Sequence, residues 1–372
     1  MSIRVCASAI ILLFTSAGLG CPPAAFAQDK STQDKGVPDK SPQDKSADGS
    51  NFKSQVDLVS VYFTVRDDKK RLVSDLGQES FSVSEDGQPQ AIKFFSHHTD
   101  VVLNVGVLLD TGSNMSWILS EEAQASTMFL RHVVRPTDLG FIVSYGSRVE
   151  TVQLPTSDPA LLRQGAESIA KGAAIGLPEE APASPGIWSG TVGINGRHPL
   201  DPNRETHLYD AVRVSTHRYL MGEVGRKAVV IVALSGDSKS ESTMADALEA
   251  LLENDVIAYV LQIYDGGAKH DNCDVLHIYK KDSDGEPVLK KLAEATGGRM
   301  LEVRGIDKLD DALDEISEEL HHQYSLGYYP ENKNWDGKFR KIQISAAEKG
   351  FKVYARKGYH AKPPAPKVAL VQ

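Results

Sequence analysis

The chain has 372 residues, 41% of them apolar, and a formal net charge of −9 at pH 7. That is enough apolar side chain for ordinary packed cores, with room for two domains and tails. An acidic balance spread along the chain argues against nucleic acid as a partner.

Arg4, the apolar run Ala9–Phe14 and Ala25-Phe26-Ala27 before Gln28 have the charged, apolar and A-x-A pattern of a secretory signal. Residues 1–27 are therefore expected to be removed on export, and loss of Arg4 turns the net charge from −9 to −10. The competing reading is a lipoprotein signal acylated at Cys21, but in Gly18-Leu19-Gly20-Cys21 the leucine stands one place nearer the cysteine than such signals use. No later run reaches the ~18–20 apolar residues of an integral membrane span. The mature protein is thus expected to be secreted, periplasmic or at the cell surface. It keeps only Cys273, which allows no internal disulfide and no cysteine-based metal site.

Residues 28–47 repeat with a period of five, as QDKST, QDKGV, PDKSP and QDKSA. Nothing apolar recurs, so residues 28–51 are expected to be a disordered linker. Residues 52–98 read as a β segment. Val56–Val65 alternates as a strand, and Glu85-Asp86-Gly87 between Ser80–Ser84 and Gln90–Phe95 is a hairpin signal.

Strands and helices then alternate through residues 99–322. Strand Val101–Leu109 precedes a helix near Ser116–Val134, with Glu121 and Glu122 in its early turns. Strands Leu139–Tyr145 and Val149–Leu154 and a helix near Pro159–Lys171 follow, and then a long Gly- and Pro-rich loop, 172–204. Helix Leu208–Leu220, strand Lys227–Leu234, helix Thr243–Asn254 and strand Val256–Ile263 come next. After a polar loop come helix Pro287–Thr296, strand Arg299–Val303 and helix Ile306–Leu320. This order predicts an α/β fold, a Rossmann-like, doubly wound, mostly parallel sheet. Residues 323–361 are β again, with strands Gln323–Tyr329, Arg340–Ser345 and Phe351–Arg356 before a tail, 362–372. The two flanking β segments are expected to join into one small module.

Asp110 ends the first apolar strand and opens a Gly/Ser/Asn turn, the place where open α/β sheets carry ligand sites. Several further landmarks occur in order: Phe81 with Glu85-Asp86-Gly87, Asp110-Thr111, Thr206 through Val212, Lys227 through Val230, and Leu292-Ala293 with Thr296-Gly297-Gly298. Tyr324 through Tyr328, Asp336 through Ile342 and Arg356-Lys357-Gly358-Tyr359 complete the series. In these the chain resembles, from Val56 to Tyr359, the secreted von Willebrand factor A-related family abundant in acidobacterial genomes.

The resemblance implies a von Willebrand factor A-like fold that can hold Mg²⁺ or a similar ion at a metal-ion-dependent adhesion site. There a D-x-S-x-S loop, a threonine and a third-loop aspartate supply oxygens, and a partner's carboxylate fills an open position. Asp110, Asn114, Thr206 and Asp237 align with that set. The departures are Gly112 and Asn114 in place of two serines, and Ser235-Gly236-Asp237 in place of Ser-Asp-Gly. The implied site is degenerate: either it binds Mg²⁺ or Mn²⁺ weakly, or its residues only hydrogen-bond the loops.

A rival reading takes Asp110-Thr111-Gly112 as the loop of a pepsin-like aspartic protease, which needs a second such loop and a nearly all-β fold. No second D-T-G or D-S-G occurs, since Asp282-Ser283-Asp284-Gly285 is interrupted. G-x-S-x-G, H-E-x-x-H, the P-loop and the Gly-rich dinucleotide turn are missing too. His97-His98 and His321-His322, read as strand residues, point to opposite faces and cannot chelate together. Glu315, Glu318 and Glu319 read as a solvated helix face. The expected protein is an exported, non-enzymatic binding protein with a protein ligand and no cofactor beyond a weak divalent cation.

Overall fold

Strand β5, Leu103–Asp110, is buried along its whole length, as a strand covered on both faces must be. It pairs in parallel with β6 (Leu139–Tyr145) on one side and β8 (Arg226–Ala233) on the other. With β7 (Val149–Thr156), β9 (Val256–Tyr264) and β10 (Met300–Arg304) the order is β10-β9-β8-β5-β6-β7. Only β7 is antiparallel. The order reverses beside β5, which puts the crevice of a doubly wound sheet at the carboxyl ends of β5 and β8.

This computed structural model describes residues 58–98, 101–112, 116–170, 205–234, 236–264, 285–304 and 306–362. The expected signal, the repeat linker, Asn114, the whole of loop 172–204, Cys273 and the tail beyond Lys362 lie outside them.

Alternation along the central strands assigns the helices to two faces. Val105, Val107 and Leu109 of β5 and Val230 and Val232 of β8 pack on α1 (Ser116–Val133), α2 (Pro159–Ala170) and α6 (Leu309–His321). Leu108, Val229 and Ile231 face α3 (Leu208–Ser215), α4 (Met244–Glu253) and α5 (Gly285–Thr296). Thr243 and Asp246 form a capping box at α4. The helix expected over Leu208–Leu220 ends at Ser215 and continues as a π-type turn, Thr216–Leu220, where Thr216 Oγ1 bonds the Val212 carbonyl. Gly297, at φ 92°, stops α5, and any Cβ on Gly298 would lie 2.1 Å from the Ala258 carbonyl oxygen.

The flanking segments pair, as expected, into one module of two four-stranded sheets. The first has the order β13-β1-β11-β4, from Lys352–Ala355, Val59–Arg66, Gln323–Tyr328 and Ile92–His98. The second is β14-β12-β2-β3, from Gly358–His360, Phe339–Ala346, Phe81–Glu85 and Gln88–Gln90. The sheets share a core of Val61, Phe63, Phe81, Val83, Tyr324, Leu326, Ile342 and Ile344. The Phe63 and Phe81 rings meet edge to face at 5.1 Å. Asp86 and Gly87 both have positive φ, as a two-residue hairpin turn of the primed kind requires.

Gln90–Phe95, expected as one strand, is two. Gln90 pairs with Val83 in one sheet, and beyond Ala91 the residue Ile92 pairs with Tyr328 in the other. The three-residue β14 is too short to leave a period in the sequence.

A second correction concerns α6. Glu318 is exposed, but Glu319 is completely buried, where the sequence suggested a solvated face. Arg66 Nη2 of β1 lies 2.6 Å from Glu319 Oε1 and 2.8 Å from Glu315 Oε1. Arg299 donates through Nε to Glu319 Oε1 at 2.6 Å and through Nη2 to Glu315 Oε1 at 2.7 Å. This four-residue network ties the β-sandwich to the α/β sheet. Glu122, expected in an early turn of α1, is also buried and lies beyond the first turn.

Candidate functional site

Asp110 sits fully buried at the carboxyl end of β5. Its Oδ1 accepts from Gly112 N at 2.9 Å and its Oδ2 from Leu234 N, just past β8, at 3.2 Å. The carboxylate therefore staples together the two strand ends that form the crevice. Parallel strands leave their last N–H groups without ladder partners, and a buried acceptor satisfies them.

Thr206, 1% exposed, is brought to the same place. A Cβ added to Gly112 would lie 3.0 Å from Asp110 Oδ1 and 3.2 Å from Thr206 Cγ2. The Thr206 methyl thus faces the first loop, and a serine at position 112 would require its neighbours to yield. Thr206 Oγ1 donates to the Gly236 carbonyl at 2.7 Å, and Thr206 N to Ser238 Oγ at 2.8 Å. The Thr206 carbonyl accepts from Ser238 N and Lys239 N at 3.1 and 3.0 Å.

Asp237 belongs to that third loop, but its carboxylate is engaged elsewhere. Oδ1 accepts from Tyr209 N at 3.2 Å, at the positive end of α3, and from Ser240 Oγ at 2.5 Å. Oδ2 accepts from Ser240 N at 3.2 Å. Asp110 and Thr206 are therefore brought together, Asp237 caps a helix beside them, and Asn114 lies outside the described residues.

The hub of the third loop is Asp210, a residue of the Thr206–Val212 landmark with no role assigned from sequence. It is 7% exposed and accepts from Ser242 N at 3.0 Å and Glu241 N at 2.9 Å, with His207 Nδ1 at 3.4 Å. Burial alone would raise its pKa, but the hydrogen bonds from Ser242, Glu241 and His207 outweigh it and hold the carboxyl below its ordinary value. The signal for this was the Ser/Asp-dense stretch 235–243, a composition that favours side-chain-to-backbone turns. A carboxyl with a depressed folded-state pKa stabilises above the ordinary carboxylate range, and that stabilisation is lost as pH falls through the folded-state value. Asp210→Asn should therefore lose ~1–3 kcal/mol at pH 7, from one unpaired buried N–H. The loss should shrink at pH ~3, below the ordinary carboxylate pKa. Urea unfolding at the two pH values reads both effects.

These donors do not make an octahedral oxygen set. Among the described residues, Gly112 offers no side chain, Asp237 is turned onto α3, and both Asp110 oxygens already accept backbone N–H groups. No group of three His, Cys, Asp or Glu placed to hold a metal occurs among the described residues. The histidine pairs are otherwise employed. His97 packs on Tyr324 at 5.2 Å, and His321 and His322, at the end of α6 rather than in a strand, donate to the Ser317 and Glu318 carbonyls at 2.7 and 2.8 Å. Asp110-Thr111-Gly112 follows a parallel strand of an α/β sheet, and that sheet is not the nearly all-β fold of pepsin-like proteases. No helix among the described residues is long and apolar enough to cross a membrane.

No protein-family model and no curated protein matches the sequence. Among solved structures, proximal thread matrix protein 1 from the mussel byssus is 11% identical, with a TM-score of 0.40 over 60% of this chain and 49% of that one. The chain thus spans about half the length of the mussel protein, another structure of which has zinc in its MIDAS motif. BatB from Bacteroides thetaiotaomicron is 16% identical, with a TM-score of 0.39 over 59% of this chain and 97% of that one. A von Willebrand factor type A protein from Catenulispora acidiphila is 11% identical, with a TM-score of 0.41 over 82% and 75%. The fold assignment itself rests on strand order and helix placement: a doubly wound, mostly parallel α/β sheet joined to a β-sandwich.

Proposed function

We propose that this is an exported, non-enzymatic binding protein of the secreted von Willebrand factor A-related kind. It recognises a protein partner with the loops at the carboxyl ends of β5 and β8, without a bound cation. One observation carries this reading: hydrogen bonds from Gly112, Leu234, Tyr209 and Ser240 already orient, and partly satisfy, the carboxylates that a cation would need. The described ends of both loops are thereby tied to the fold itself before any partner arrives.

Thermal unfolding with millimolar Mg²⁺ or Mn²⁺, and with chelator, tests the proposal, because a ligand stabilises only the state it binds. The expected melting temperatures coincide. A cation-dependent rise that Asp110→Ala abolishes would instead favour the weak-cation reading. Asp110→Ala should lower the melting temperature in any buffer, since it frees the buried Leu234 N–H.

A further inference from the structure

We propose that the outward face of the second sheet of the β-sandwich binds an acidic polysaccharide, at a site separate from the crevice beside Asp110. The charge that looks even along the sequence divides once the fold assigns residues to modules. Residues 58–98 and 323–362, which build the sandwich, hold fourteen Lys and Arg against nine Asp and Glu, whereas residues 99–322 hold twenty against thirty-five. The sandwich is thus the cationic part of an acidic chain, and it attracts a polyanion that the α/β sheet repels.

Strand β12 alternates strictly, with Arg340, Ile342 and Ile344 buried and Phe339, Lys341, Gln343 and Ser345 exposed. On one side its register sets His360 beside Phe339 and Gly358 beside Lys341. On the other it sets Ser84 beside Gln343 and Ser82 beside Ser345. Paired residues share a face of a sheet, so aromatic, amine, amide and hydroxyl groups form one stripe. Lys338 and Lys357 at its margin are exposed as well. The acid at that margin, Asp336, is engaged by Lys338 at 3.3 Å and by Arg340 at 2.8 Å.

Phe339 is held against the sheet. A Cβ added to Gly358 would lie 2.5 Å from Phe339 Cζ, so the ring takes the place that a side chain at position 358 would fill. The His360 ring meets it edge to face at 5.3 Å. The Phe339 ring nonetheless stays 42% exposed. Such a ring packs on the C–H groups of a pyranose, and Lys341 pairs with a carboxylate carried by the sugar. Gln343, Ser84 and Ser82 both give and take hydrogen bonds, as sugar hydroxyls do. The stripe from Phe339 to Ser345 runs about 20 Å, room for an extended chain of several sugars. Across β2, Ser82 and Pro89 also border a cavity of about 500 Å³, with Gln78, Glu79 and Gln90 in its lining. That volume lies in the range of small-molecule sites.

Titration calorimetry of the full chain with polygalacturonate tests this, against dextran, poly-L-glutamate and oligo(dT). Polygalacturonate is expected to bind most tightly of the four, and more weakly as salt is added. Phe339→Ala should raise its Kd about tenfold, and Lys341→Gln about threefold, with unchanged circular dichroism. Gln343→Ala should also raise the Kd, and it serves if Phe339→Ala does not fold. Dextran binding as tightly would show that charge is not read, and poly-L-glutamate binding as tightly would show that the sugar ring is not read. Either result would overturn the proposal. So would tighter binding of oligo(dT), no binding of polygalacturonate at low salt, or a Kd unchanged in the folded variants.

Discussion

Glu319→Ala should reduce the unfolding free energy by ~3–5 kcal/mol, the usual effect of removing one partner from a buried ion pair. The side chain is fully buried and is the shared acceptor for Arg66 and Arg299, one from each module. Without it, Glu315 alone faces two guanidinium groups, and Glu315 is 37% exposed, so solvent weakens what it can offer. Glu315→Ala should accordingly cost no more than ~1 kcal/mol. Denaturant titration of the two variants separates the cases. Equal losses would mean that the network behaves as an exposed salt bridge and does not join the modules.

Truncation after Leu320 should have the larger effect still. It removes β11 from between β1 and β4, β13 from the outer side of β1, and β12 with β14 from the side of β2. Val59, Val61, Phe63, Phe81 and Val83 would lose the strands that cover them. At ~1.5–3 kcal/mol for each large apolar side chain returned to water, the loss is comparable to the ~5–15 kcal/mol that holds a whole domain together. The fragment should aggregate or lose its sandwich signal in the far-ultraviolet spectrum. A soluble monomer with an otherwise unchanged spectrum would show that residues 58–98 fold without the tail.

The sheet was legible because β5, β8 and β9 are continuous apolar runs, a pattern only strands buried on both faces can use. The pairing of the flanking β segments could be proposed from their alternation, but the partner of each strand could not be read. Register depends on contacts more than two hundred residues apart, such as Val59 with Tyr328. The break at Ala91 was invisible for the same reason: the residues on either side are equally strand-like, and only their partners differ.

Glu319 illustrates the limit most sharply. Its neighbours Glu315 and Glu318 share its chemistry, and nothing local tells a buried glutamate from a solvated one until Arg66 arrives from another module. At the candidate site, the resemblance put Asp110 and Thr206 in one set, and the fold brings both beside Gly112. The turning of Asp237 onto Tyr209 N was not legible, because it follows from a one-residue displacement whose result depends on where α3 begins.

On the proposed reading, hydrogen bonds, not a cation, organise the loops around Asp110. A crystal soaked in Mn²⁺ and measured for anomalous scattering tests it most directly. No anomalous peak is expected beside Asp110, with Thr206 Oγ1 still bonded to the Gly236 carbonyl. A manganese peak coordinated by Asp110 and Thr206, with Asp237 swung away from Tyr209, would contradict it.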